Sequence, residues 1–384
     1  AGCQAQPTPA PALPSPTAAL PLQPTVSPTS PPTLTSTPQT GIAVRAEDLR
    51  GVKINAWHML GGEQAKALQA AAQDFNLTYG LTTLEELLIA SQKDGKLPQV
   101  VLAPPEALAD WRASLNIITD SSLYVRDGEW GLAPKETADF PAIYQAALNA
   151  QTGVPILRNA AVLFYNQSWA EELGFSAPPA TPEAFRLQAC AAAKANLNDA
   201  TYENDGLGGW FLDRDPLTLT SWLAAFGAAP VNDSTGAIAF NTESSLNTFT
   251  FLRKLLDSAC AWTSKTSTTG ESFSQRRALC FSGTLEQLMA QERVQALNKS
   301  PDRWSVIAYP GEKQASAVLI EGLDGAILKG KPQEQLAGWL FLRWLLLPRS
   351  QAALASAAAS LPVRSSALSL MADFARTHPQ LAAF

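Results

Sequence analysis

The sequence predicts an α/β protein whose folded body falls into two connected units. Three observations predict it. Hydrophobic residues make up 46% of the 384 residues, enough for a sizeable core. From Gly51 onward, stretches of strand character alternate with stretches of helical spacing, the pattern of a parallel sheet with helices on both faces. An apolar extended run then ends at Phe164, Tyr165 and Asn166, and a fresh, mostly helical series follows, which marks a change of unit.

The elements follow in order. "GVKINAWHML" alternates apolar and polar residues and is rich in strand formers, so it is a first strand. "GGEQAKALQAAAQDF" has helical spacing. "TTLEELLIASQKDG" is read as a second helix, started by Thr and stopped by Gly. "LPQVVLAPPEALADW" is strand, turn and helix, and "DFPAIYQAALNA" a further helix that leads into the crossover strand. In "TPEAFRLQACAAAKAN", Thr181 is placed to cap, Pro182 takes the first helical position and Glu183 complements the first turn. Strands return in "DRWSVIAYPGE" and "SAVLIEGLDGAILKG", and two closing helices are separated at Pro348.

The N-terminal stretch contrasts with all of this. Residues 4–48 are dominated by Pro, Thr, Ser and Ala, and no charged or aromatic residue occurs before Arg45. Frequent proline removes amide donors, and the apolar surface is too small to offset the entropy of ordering. The stretch is expected to be a disordered tether, reaching on the order of 100 Å if extended. Ala1-Gly2-Cys3 matches the end of a bacterial lipobox, so Cys3 is expected to carry a lipid, the apolar leader having been removed.

Charge and motifs exclude several classes. A net charge of −6 argues against nucleic acid and against a polybasic membrane surface. "LAGWLFLRWLLLP" is too short for a membrane span and is interrupted by Arg343, so it is a buried helix. With His58 and His378 the only histidines, a zinc site has few ligands to draw on, and no phosphate or dinucleotide loop or nucleophile elbow occurs. No metal or cofactor is expected. Cys190 and Cys260 are the preferred disulfide pair, three buried thiols being the other reading, and Cys280 sits in an apolar run as a small core hydrophobe.

What remains is a set of aromatic and polar residues at element ends. Sugar rings are bound by flat aromatic faces together with side chains that hold hydroxyls. Trp57 and Trp210 lie at element ends, Trp210 beside Gly209, and are expected at a cleft edge. Asp215, with His58 and Asn166, is expected to take hydroxyls, although Asp215 also reads as a helix cap and His58 as a structural histidine. Glu321 and Asp324 in "EGLDG" are placed on the rim, where glycines let backbone approach a ligand.

Several segments, in order, resemble bacterial extracellular solute-binding proteins of the maltose-binding type, the substrate receptors of ABC importers. They are "VKINAWHMLGGEQAKALQAAAQDFN", "TGVPILRNAAVLFYNQSWAEELGF", "FSQRRALCFSG", "WSVIAYPG" and "LAGWLFLRWLLLPRSQAALASAAASLPVRSSAL", and together they cover most of Val52 to Leu368. The resemblance implies a two-lobed periplasmic-binding-protein fold of type II with a hinge. The first lobe is expected at about 49–160 with a return near 310–330, and the second at 161–309 and 331–384. It implies a monomer that binds a carbohydrate without catalysis, partnered with ABC permease subunits and held by lipid at the outer face of the cell membrane. In similar receptors two cysteines placed like Cys190 and Cys260 occur together, which supports that pairing. Pro98-Gln99-Val100 stands where the family usually has Pro-Asp-Val, and "FNLTYGLTTLEELL" is shorter than the family's segment. An envelope-tethered polysaccharide hydrolase and a ligand-sensing receptor are the competing readings.

Overall fold

The structure, a computed structural model, describes residues 41–79, 82–86, 97–229, 238–265, 268–312 and 316–384. Cys3 and the stretch up to residue 40 lie outside them. The last residues of the expected tether lie inside: Val44 is buried in the core, and the Ile42 amide donates to the Asp127 carboxylate at 2.8 Å.

Nine strands among the described residues form one mixed sheet: β1 (Ile54–His58), β2 (Thr82–Glu86), β3 (Val100–Ala103), β4 (Val154–Asn166), β5 (Gly208–Phe211), β6 (Ala261–Trp262), β7 (Ala278–Thr284), β8 (Trp304–Ile307) and β9 (Ile320–Ile327). The order is β2-β1-β3-β9-β4-β7-β5-β6, with β8 also on β4. β1 is parallel to β2 and β3, and β5 to β6 and β7. The pairs that join the halves, β3 with β9 and β4 with β7, β8 and β9, are antiparallel, so the sheet is not the purely parallel one expected. Thr82–Glu86 is likewise not helical as expected. Its β-branched start pairs with β1, Ile54 opposite Thr82, and sheet pairing overrides the local helical pattern.

Two lobes follow from how the cores divide. The first half of β4 packs with Ile54, Phe75, Val100 and Leu148. Its second half packs with Phe185, Trp210, Trp222 and Leu255 on one face and with Phe273, Phe281 and Trp304 on the other. β4 and β9 therefore run from one lobe to the other and form the hinge. The helices Pro332–Leu345 and Pro348–Ala358 were expected in the second lobe but belong to the first. β9 ends beside β3, so the helix that follows lands on the first-lobe sheet, where Phe341 meets Phe75 at 5.3 Å between ring centres. The chain touches the second lobe again further on, through Leu361, Phe374 and Leu381.

The local signals act as read. Thr181 accepts from the Ala184 amide at 3.2 Å with Pro182 at the first helical position, and Pro348 opens its helix. Cys190 and Cys260 are bridged across a separation of 70 residues, with Cα atoms 4.4 Å apart, and tie the helix Pro182–Leu197 to the start of β6. Cys280 is free and buried, and burial pushes its thiol well up. No helix of the described residues is long and apolar enough to cross a membrane.

Candidate ligand-binding cleft

In open α/β sheets, ligands sit outside the carboxyl ends of the strands. Here four such ends meet. The chain leaving β1 supplies Met59, Leu60 and Gln64, and the chain leaving β3 supplies Pro104, Pro105 and Glu106. Glu286, just beyond β7, and the hinge residues Leu157–Asn159 and Ile320–Leu323 complete a cavity of about 540 Å³. A smaller cavity of about 170 Å³ adjoins it, walled by Asp213 and Asp215 beyond β5, by Thr284 and Gln287, and by Tyr309. Glu286 and Glu321 line both cavities. Gln64 of the first lobe donates to Glu286 of the second at 3.1 Å, a hydrogen bond across the cleft.

The lining is acidic. Glu106, Asp213, Asp215, Glu286 and Glu321 all face it. Partial removal from water raises the Glu321 carboxyl above its ordinary value, and the negative charges of Glu286, Asp215 and Glu106 add to the shift. Among the described residues, Arg158 is the one cation in either lining, and its bonding is internal. It donates to the Leu157 and Leu323 carbonyls, both at 2.9 Å, and to the Asp324 carboxylate. Burial raises the Asp324 carboxyl, with Arg158 opposing. Among the described residues, no group of His, Cys, Asp and Glu is disposed to hold a metal ion.

Of the seven residues expected to bind, Asp215 and Glu321 line the cleft. Asp215 also accepts from the Leu217 amide at 2.8 Å, as the cap of its helix. The other five lie elsewhere. Trp210 is 0% exposed, edge-on to Phe185 and Trp222, with its indole N–H directed at Ser282 Oγ. Trp57 lies within β1 and packs on the sheet face holding Val101, Leu108 and Ile118. His58 is buried and lines neither cavity. Asn166, fully buried, caps the helix Gln167–Glu172 and donates to Asp302 at 2.7 Å. Asp324 is buried as the partner of Arg158. The glycines of "EGLDG" also serve packing: at Gly322, with φ of +150°, a Cβ would stand 2.0 Å from the Leu157 carbonyl oxygen, so strand meets strand there.

Gln64, Glu106, Asn159 and Glu286 were not anticipated. The signal that finds them is position: Glu106 and Glu286 stand just past strand ends, where an open sheet binds ligands.

A family model described as a bacterial extracellular solute-binding protein matches residues 65–383. No curated relative matches the chain. Among solved structures, it is similar to a cyclic alpha-maltosyl-1,6-maltose binding protein from Arthrobacter globiformis, with TM-score 0.69, 16% identity, and coverage of 87% of this chain and 85% of that one. The sugar-binding protein MalE from Xanthomonas citri gives TM-score 0.68 at 17% identity, covering 86% of each chain. UgpB from Mycobacterium tuberculosis, in complex with glycerophosphocholine, gives TM-score 0.68 at 16% identity, covering 85% of this chain and 84% of that one. At these identities the likeness establishes the fold.

Proposed function

Because the chain belongs to the bacterial extracellular solute-binding family, we propose that it captures a carbohydrate in the cleft between its lobes and delivers it to an ABC importer. The observation that carries this reading is the meeting of three strand ends at a polar cavity spanned by the hinge strands β4 and β9, with a fourth end at the adjoining smaller cavity. A volume of about 540 Å³ lies within the usual range for small-molecule sites. Two similar structures have names stating that they bind sugars, which supports the ligand class.

The mechanism is capture by closure. A ligand that bridges Glu106 on one lobe and Glu286 on the other favours the closed arrangement by its differential affinity for it. Gln64 and Glu286 already span the cleft at 3.1 Å, so closure adds ligand bonds to an existing contact. Binding proceeds without turnover. A lipid on Cys3 and the stretch that follows would hold the receptor near its transporter, raising its effective concentration there. One chain gives marginal anchoring, so further acylation accompanies it.

A calorimetric screen of mono- and oligosaccharides, with product analysis after long incubation, tests this. Micromolar binding, worth about 8 kcal/mol, with the sugar recovered intact is the expected result. Hydrolysis of the bound glycan, or no binding across the panel, refutes it.

A further inference from the structure

Building on the carbohydrate reading of this cleft, we propose that the ligand is a cationic saccharide, an amino sugar whose ammonium seats among Glu106, Glu286 and Glu321 while Asn159 donates to a ring oxygen or hydroxyl.

Three carboxylates, Glu106, Glu286 and Glu321, line the larger cavity. Glu106 and Glu321 have no hydrogen-bond or ion-pair partner among the described residues, and Glu286 has only the neutral Gln64. Arg158, a cation of the lining, is held by two carbonyls and Asp324. A neutral sugar can donate hydroxyls to these carboxylates, but it leaves their mutual repulsion in place. An ammonium donates and also cancels charge, and charge-assisted bonds are roughly twice as strong as neutral ones. Burial first, and then the repulsion of Glu286, Asp215 and Glu106, raises the Glu321 carboxyl.

A second, independent observation comes from β4. Asn159 is 5% exposed and lines the larger cavity. Its Oδ1 accepts from the Ala160 amide at 2.9 Å, while its Nδ2 has no partner among the described residues. That N–H opens on the cavity from an otherwise buried side chain, so a ligand acceptor can take the place of water there. The register places Asn159 opposite Glu321, so donor and acceptor share one face of the hinge. A group that offers oxygen to Asn159 and a positive charge to Glu321 is an amine on a hydroxylated ring. Among the described residues, no aromatic side chain lines the larger cavity, so the stacking that drives binding of many neutral sugars has no platform in them.

Calorimetry on the full chain with three disaccharides of one geometry decides the matter: the β-1,4-linked dimer of glucosamine, its N-acetylated form, and cellobiose. The amine is expected to bind at least tenfold more tightly than either neutral sugar, with the preference shrinking as sodium chloride rises. Glu321→Gln should remove most of the preference for the amine, and circular dichroism of the variant confirms that it is folded. Equal or tighter binding of a neutral disaccharide overturns the charge assignment and leaves the carbohydrate reading standing. No heat with any of the three, nor with a wider neutral panel, overturns the carbohydrate reading and this inference with it.

Discussion

Replacing Asp324 by asparagine separates a ligand-binding role for this residue from a structural one. Its side chain is 4% exposed and that of its partner Arg158 8%. Because burial raises the Asp324 carboxyl in spite of the guanidinium beside it, the pair as a whole is no large source of stability. The cost of breaking it is that of the cation left behind. Arg158 would retain the carbonyls of Leu157 and Leu323, both at 2.9 Å, but no counter-charge. Removing one partner of a buried pair costs about 3–5 kcal/mol. Asparagine keeps the size and a neutral acceptor worth about 1 kcal/mol, which leaves about 2–4 kcal/mol. At about 2 °C per kcal/mol for a chain of this size, the ligand-free protein should melt ~4–8 °C lower in scanning calorimetry. The double variant Arg158→Met with Asp324→Leu should recover most of that loss, since an apolar pair leaves no charge to satisfy. A melting point unchanged in Asp324→Asn refutes the reasoning, and if affinity is lost at the same time Asp324 returns to the ligand site.

Four further outcomes are expected. Trp210→Ala should lower stability by about 3–5 kcal/mol, as for other buried aromatics, and an unmoved melting curve would take Trp210 out of the core. Replacing Cys190 and Cys260 by alanine should cost about 4 kcal/mol by the chain-entropy relation for a 70-residue loop, and non-reducing peptide mapping should find that pair joined and Cys280 free. Burial pushes the Asp302 carboxyl up, but hydrogen bonds from Arg276 and Asn166 hold it below its ordinary value. The stabilisation it gives is therefore present above the unfolded value near ~3.9 and lost as pH falls through the folded one. Asp302→Asn should unfold at lower urea than wild type at pH 7, with the gap closing as pH falls below the unfolded carboxyl's value and through the lowered folded one, and a gap constant with pH would refute the linkage. Cys3→Ser should move the protein from the membrane fraction to the soluble one, and unchanged detergent partitioning would exclude a lipid at Cys3.

The fold was legible where local chemistry and tertiary packing agree. β1, β3, the crossover strand β4 and the helices that start at Pro182 and Pro348 carry periodicity, caps and proline in mutually consistent positions. Thr82–Glu86 was misread because strand or helix there depends on whether β1 offers an edge, which is long-range information. The placement of Pro332–Ala358 in the first lobe was hidden for the same reason, since an apolar helix packs as well on one sheet as another until the direction of β9 is known. The site was less legible than the fold. Aromatic residues beside glycines suggested a sugar platform, yet Gly209 lies where β5 meets β6, and Trp210 follows the strand into the core.

A sequence shows where charges are but not which of them the fold satisfies, and in this chain that division separates structure from function. Three buried or half-buried carboxylates are matched internally: Asp324 with Arg158, Asp302 with Arg276 and Asn166, and Asp139 with Arg364 and Ser366. Each joins segments remote in sequence, and in Asp139 and Asp302 the hydrogen bonds outweigh burial and hold the carboxyl below its ordinary value. Glu106, Asp213 and Glu321 differ in having no such partner among the described residues, and all three stand where strand ends or hinge strands open on the cavity. Glu321 makes the contrast plain, for it lies three residues from Asp324 on the same strand. Burial raises both carboxyls, but Asp324 pairs with Arg158 inside the protein, whereas Glu321 stands among other carboxylates. A fold that neutralises its interior charges yet concentrates unmatched carboxylates at a cleft carries a standing repulsion there, and a cationic ligand that relieves it gains affinity only where that cleft encloses it.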